Sequence, residues 1–239
     1  MGSRVVSRPR LKCHAFIDFD GTIVPQDASD FLFDRFADPQ WQDIEREWRG
    51  GRIGSRECMA RQVALLRATP DMLAEAVASL SIDRGFTAFV RRCQGWGIGM
   101  TVVSDGFDRV ITQVLSAAGV MLPYFANRLL AIGPDRWRVT FPSARSDCRA
   151  LAGNCKCAFT EAYATAVKIV IGDGRSDHCV SARADLVFAK AELLDLCRSS
   201  GTPHFPFADF CDVSETLAAW LSQERPARAE DHGAGRVQS

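Results

Sequence analysis

Two aspartates one residue apart, Asp18 and Asp20, close the apolar run His14-Ala15-Phe16-Ile17 and are followed at once by Gly21 and Thr22. Such a run reads as a strand buried in a sheet, where an unpaired ionised carboxylate costs several kcal/mol. Something cationic must therefore face the pair. In an open parallel sheet the carboxyl ends of the strands border the crevice where ligands bind. Gly21 lets backbone N–H groups approach an anion closely, and Thr22 adds a hydroxyl. The plain alternative is a strand that runs into an Asp-Gly turn. Two later apolar runs end in the same manner: Gly99–Val103 enters Ser104-Asp105-Gly106-Phe107-Asp108, and Val167–Ile171 enters Gly172-Asp173-Gly174-Arg175-Ser176-Asp177. Each tail alone is an ordinary turn, but on one sheet edge the three would converge.

The string Asp18-Phe19-Asp20-Gly21-Thr22, followed in order by Ser104, a lysine and Asp173/Asp177, resembles the motif series of the haloacid dehalogenase superfamily of phosphohydrolases. The resemblance implies a phosphatase in which Asp18 is the nucleophile and Asp20 the general acid and base. It further implies Mg²⁺ held by Asp18, the Asp20 carbonyl, Asp173 and Asp177. Phosphate would be bound by Gly21, Thr22, Ser104, Asp105, Gly106 and Lys156. The chemistry demands cations: at ~3 Å and an effective dielectric of ~20, a phosphate dianion against one carboxylate is repelled by about 10 kcal/mol. Hard oxygen ligands suit Mg²⁺. Lys156 precedes the third apolar run at a helix start, whereas its competitor Lys168 lies within that run and alternates away from the edge. Asp18 would take the phosphoryl group in line while protonated Asp20 gives its proton to the leaving oxygen.

Within that superfamily the chain resembles the phosphoserine phosphatase branch, which closes a helical cap over the site. It is closest in pattern to methionine-salvage phosphatases of 2-hydroxy-3-keto-5-methylthiopentenyl-1-phosphate and to phosphocholine/phosphoethanolamine phosphatases, whose lysine sits in a Cys-rich stretch like Asn154-Cys155-Lys156. By resemblance Asp27 and Arg52 are candidate substrate contacts, with Arg175 a further one. Ala60 stands where a phosphoserine phosphatase has its carboxylate-binding Arg, and Asp105 replaces a usual Gly. The implied partner is a small phosphorylated metabolite. A phosphate-binding protein without turnover and a phosphotransferase with an alcohol acceptor are the alternatives.

The elements that must position these residues follow from periodicity. Strands alternating with helices predict an α/β fold with a doubly wound parallel sheet. Apolar residues at helical spacing around Phe31, Trp41, Met59 and Leu73 predict four short helices between the first two strands, with Asp38-Pro39 opening the second, Gly50-Gly51 closing it and Thr69-Pro70 opening the fourth. Residues 26–82 thus read as an inserted helical cap, and 13–25 with 83–222 as the catalytic core. A hairpin is expected around Gly133-Pro134-Asp135, a helix from Cys155 to Ala166, a strand over Asp185–Phe188 and a final helix carrying Phe210 to Leu221. Residues 1–12 and 223–239 read as disordered tails.

Composition sets outer bounds. The 239 residues are 47% hydrophobic and 24% charged, as in a soluble globular chain, and 29 Lys+Arg against 29 Asp+Glu favour neither a nucleic-acid nor a membrane partner. With neither a membrane-span-length apolar run nor a signal-peptide core, the cytoplasm is the expected location. Nine cysteines, an odd number spread along strands and helices, are expected to be reduced thiols; Cys148, Cys155 and Cys157 lack a C-x-x-C pair. Oligomeric state is left open.

Overall fold

The computed structural model describes residues 12–148, 150–164 and 166–224. Strand β1 (Cys13–Ile17) is followed by helices α1 (Ala28–Phe36), α2 (Trp41–Arg49), α3 (Ser55–Ala64) and α4 (Pro70–Ala78), then by α5 (Phe86–Trp96) and β2 (Gly99–Phe107). Next come α6 (Asp108–Ala117), β3 (Tyr124–Ala131), β4 (Trp137–Thr140), α7 (Lys156–Glu161) and β5 (Val167–Gly172). A 3-10 turn over Arg175–Asp177, α8 (His178–Ser181), β6 (Leu186–Ala189), α9 (Ala191–Ser200), β7 (Phe205–Pro206) and α10 (Phe210–Glu224) complete the chain.

The seven strands form one sheet in the order β4-β3-β2-β1-β5-β6-β7, antiparallel only between β3 and β4. β1 lies at its centre, with Ile17 paired to Val102 on one side and Ile171 on the other. Period-two alternation sends Ala15, Ile17, Val102, Ile169 and Ile171 into the larger core, and Phe16, Val103 and Val170 into a smaller one on the opposite face. Because both faces are covered, the central stretches of these strands, Ala15–Ile17, Val102–Val103 and Ile169–Ile171, are apolar, and acidic residues follow where the chain nears the carboxyl edge.

Helices α1–α4 share the larger core through Leu32, Phe33, Val63, Leu66, Leu73 and Val77. Their fit to the sheet is also polar: Trp137 Nε1 donates to the Ala68 carbonyl at 2.7 Å, and Ala68 N donates to Asp135 O at 3.2 Å. The Thr69 hydroxyl caps α4 with Pro70 at its first position, as expected, and Gly50 ends α2. The start of α2 differs. Gln40 is its cap, because Asp38 makes a turn of its own, its carboxylate accepting from Gln40 N at 2.9 Å.

Three further differences have local causes. The hairpin turns at Gly133-Pro134-Asp135, but β3 also pairs with β2, so the hairpin extends the sheet. The helix expected from Cys155 to Ala166 stops at Glu161, where successive turns, Tyr163 N to Thr160 O and Ala166 N to Tyr163 O, bring the chain into β5. The tail expected from residue 223 begins inside α10, which runs to Glu224; residues 1–11 and 225–239 lie outside the described residues. No helix among the described residues is long and apolar enough to cross a membrane.

Candidate active site

β1, β2 and β5 deliver their polar tails to one edge of the sheet. Asp18 leaves β1 with its N–H bonded to Ile171 O at 2.9 Å, so it stands directly beside the end of β5. Carboxylate oxygens of Asp18, Asp173 and Asp177 lie within 4.8 Å of one another. Lys156, buried at the start of α7, reaches into this group, with Nζ 2.8 Å from Asp18 Oδ1 and 2.7 Å from Asp177 Oδ1. Lys168 sits at the other end of β5, paired with His14 and 4.0 Å from Asp185, and takes no part.

Asp18 and Asp177 are buried and Asp173 half-buried, and against these three acids stand Lys156 in contact and Lys190 at longer range, which leaves negative charge in excess. Burial raises Asp18 well above the ordinary carboxylate value, Asp177 and Asp173 add to this, and Lys156 opposes it. Asp173 is pushed up to about 6 by burial and by Asp177. Burial alone would lower the Lys156 ammonium, but Asp177 and Asp18 outweigh it and hold it charged. An all-oxygen donor set with uncompensated negative charge fits a hard divalent cation.

Asp20 lies on the opposite side of Asp18. Its Oδ1 accepts from Ala28 N at 2.9 Å and its Oδ2 from the Ser104 hydroxyl at 3.3 Å. Burial, with repulsion from Asp27, pushes it up to about 8, so it carries a proton at neutral pH. Two glycines make room for the acids. A Cβ on Gly21, whose φ is +68°, would collide with the Asp173 carboxylate, and one on Gly106 would collide with the Asp20 carboxylate.

Several residues expected at the phosphate make contacts within the protein. The Thr22 hydroxyl is fully buried and donates to Asp173 Oδ1 at 2.8 Å, while the Gly21 and Thr22 N–H groups bond to Gln26 O and Phe19 O within their own loop. Ser104 is buried behind Asp20, and its Oγ accepts the Gly106 N–H at 2.8 Å. The Asp105 carboxylate ties three segments together: it accepts from the Ser55 hydroxyl at the start of α3, from Asn154 N at 2.8 Å and from Asn127 Nδ2 at 3.3 Å. β2 bulges between Val103 and Phe107, which re-aims all three motif residues.

A cavity of about 240 Å³ opens over Asp18, Asp20 and Asp173 and is roofed by α1, α2 and α3. Asp27, the cap of α1, lies on its wall; it faces the cavity, yet the surrounding protein raises its carboxyl, burial being the main cause. Arg52 is exposed after the Gly50-Gly51 turn and does not line the cavity. The arginines that do are Arg49, paired with Glu45 at 2.9 Å, and Arg175, paired with Glu192 at 3.2 Å. Trp48, Met59 and Phe33 supply apolar wall that motif spacing alone does not reveal, and Gln62 is held to Glu45 at 3.1 Å. Arg61 is turned away and pairs with Glu47 at 2.8 Å.

The order of these residues and their meeting at one edge agree with a family-wide match: the sequence model of the haloacid dehalogenase-like hydrolases covers residues 15–181. The chain belongs to this family. Among the relatives of this haloacid dehalogenase-like hydrolase is a 2-hydroxy-3-keto-5-methylthiopentenyl-1-phosphate phosphatase of Exiguobacterium sp., 31% identical over 209 residues, covering 85% of this chain and 96% of that one. A protein of the same name from Geobacillus kaustophilus is 31% identical over 211 residues, covering 84% and 94%. The fold is that of phosphoserine phosphatase. A structure described as a phospho-aspartyl intermediate analogue of that enzyme superposes with a TM-score of 0.67 at 21% identity, over 87% of this chain and 99% of its own.

Proposed function

We propose that this hydrolase is a Mg²⁺-dependent phosphatase that hydrolyses the phosphate monoester of a small metabolite through an aspartyl-phosphate on Asp18. The observation that carries the reading is the buried Lys156–Asp18 contact beside a second, protonated acid. Asp18 Oδ1 is occupied by Lys156 and by the Phe19 N–H at 2.8 Å, which leaves Oδ2 to attack phosphorus. Asp20, neutral at pH 7, donates its proton to the leaving oxygen and, as the carboxylate so formed, takes one from the water that cleaves the acyl phosphate. Asp18, Asp173 and Asp177 would hold Mg²⁺, with the Asp20 carbonyl a further ligand; when bound, it offsets charge on the acids and on the phosphoryl oxygens. Residues 26–82 serve as the cap over this site and residues 13–25 with 83–222 as its catalytic core.

For substrate, the relatives' printed names favour 2-hydroxy-3-keto-5-methylthiopentenyl-1-phosphate or a related enol or sugar-like phosphate, and the Trp48, Met59 and Phe33 wall would accept a thioether tail. A second reading, an amino-alcohol phosphate such as phosphocholine or phosphoethanolamine, is favoured by Asp27 and Asp30 on the same wall, neither of which forms an ion pair among the described residues. Phosphoserine is less well served, since exposed Ala60 and outward-turned Arg61 offer its carboxylate nothing. The test is phosphate release from a panel holding these compounds, with Mg²⁺ and with chelator. Release that needs the metal and vanishes in Asp18→Asn supports the reading; metal-independent release by that variant overturns it.

A further inference from the structure

Beside α7 a separate cavity of about 100 Å³ is lined by four thiols, Cys148, Cys155, Cys157 and Cys179, together with Arg145 and Arg183. All four are free. Cys148 and Cys155 share the cavity wall, one at each end of the segment that leads into α7. Cys155 is buried and caps α7, so the next residue along is Lys156.

The segment between these thiols is a junction of the site. Asn154 donates from its backbone to Asp105 and from Nδ2 to Ser104 O and Phe125 O, each at 2.8 Å. Leu151, held at φ +48°, accepts from Arg56 N at 3.1 Å and packs on Gly54, so it meets the first turn of α3. A non-glycine residue at that φ is strained and persists only while its surroundings hold it. Unbonded thiol sulfurs stand no closer than van der Waals contact, whereas a disulfide holds them at about 2.05 Å, so closing the bond draws the ends of this segment together by an ångström or more. Cys155 N is tied to Ser143 O by a long bond of 3.4 Å and offers little resistance.

We propose that Cys148 and Cys155 are a hydroperoxide-sensitive thiol pair whose disulfide draws Lys156 away from Asp18. Cys148, the more accessible of the two, attacks a peroxide oxygen as thiolate; the O–O bond breaks, giving a Cys148 sulfenic acid and hydroxide, which takes up the thiol's proton as water. The Cys155 sulfur then attacks the Cys148 sulfur, the S–O bond breaks, and the second oxygen leaves as water with the Cys155 proton. Two thiols lose two electrons and two protons in all, and the peroxide is reduced to two waters. The functional consequence rests on the phosphatase reading; the bond and the lysine's displacement do not.

The test uses the full chain, treated with hydrogen peroxide, alkylated and digested. Peptides joined through Cys148 and Cys155 are expected, together with a rise in acetic anhydride labelling of Lys156, which is buried and doubly paired while the thiols are free. Hydrolysis of p-nitrophenyl phosphate should fall about ten- to hundredfold, as an ångström-scale misplacement beside reacting atoms does, and recover with dithiothreitol. Cys148→Ser should keep the untreated rate and lose all three responses. Linkage through other cysteines, oxidation of exposed Cys179 alone, or a joined pair with unchanged Lys156 labelling would overturn the proposal. No hydrolysis before or after treatment would overturn the phosphatase reading and leave the mass and labelling results to decide this one.

Discussion

The Lys156 ammonium lies 2.8 Å from the Asp18 carboxylate, and both groups are buried. Asp177 at 2.7 Å completes a lysine held between two acids, and Asp173 stands close by, in no salt bridge among the described residues. The pairing gives one side chain a part in the charge balance of the folded chain and, on the proposed mechanism, in neutralising the attacked phosphoryl group.

Lys156→Ala should therefore damage stability and rate together. Removing one member of a buried ion pair costs about 3–5 kcal/mol, because the surviving charge is left uncompensated. Urea unfolding in chelator should show that loss, and added Mg²⁺ should restore part of it while turnover stays at least about a hundredfold down. Unchanged unfolding would mean the acids are not strained by each other.

Gly21→Ala should weaken metal binding more than it weakens folding. The left-handed φ costs an alanine about 1 kcal/mol, while its Cβ would displace the Asp173 carboxylate. The Mg²⁺ concentration for half-maximal activity should rise about tenfold or more, since a fixed ligand is lost. Titration of activity against Mg²⁺ measures it.

Ser55→Ala removes the hydroxyl that α3 offers to Asp105. One such bond contributes about 0.5–1.5 kcal/mol, so KM should rise roughly two- to tenfold with kcat little changed. An equal fall in kcat would place the contact in the chemical step instead.

Which of these residues could be read from the sequence depends on what decides their role. Asp18, Asp20, Asp173 and Asp177 are legible because their type and order at the ends of apolar runs imply a shared edge, and Lys156 because it opens the helix before the third run; the sheet order places those ends side by side. The hydrogen bonds of Thr22 and Ser104 to Asp173 and Asp20 are not legible in the sequence, since the direction of a hydroxyl depends on tertiary neighbours. Arg52 is a sequence candidate while Arg49 is the one that lines the cavity, and nothing in the local pattern says which arginine beside Gly50-Gly51 faces inward. Two residues separate them, and the chain turns between. The tie from Asp105 to Ser55 spans 50 residues and leaves no periodic trace. Asn127 and Asn154, which brace the same loop, were missed for the same reason.

The acids under the roof of the cavity give stability a pH dependence. Burial, with repulsion from Asp27 and Glu45, pushes Asp30 up to about 7 from an ordinary value of 3.8. A raised folded-state pKa means the native chain binds the proton more tightly than the unfolded one, so this contribution is complete below about pH 4 and is lost as pH rises through about 7. Asp30→Asn should accordingly unfold at a higher temperature than the parent at pH 8, with the difference shrinking towards pH 4. Thermal unfolding across that range would show a constant difference if Asp30 were not held protonated.

The claim on which the rest depends is that Asp18 carries the phosphoryl group. Enzyme quenched in acid during turnover with Mg²⁺ and then treated with borohydride would have any aspartyl-phosphate reduced to homoserine, which mass spectrometry locates. Reduction at residue 18, absent without substrate, is the predicted result; steady turnover with residue 18 unmodified, or reduction at Asp20 or Asp173, would contradict it.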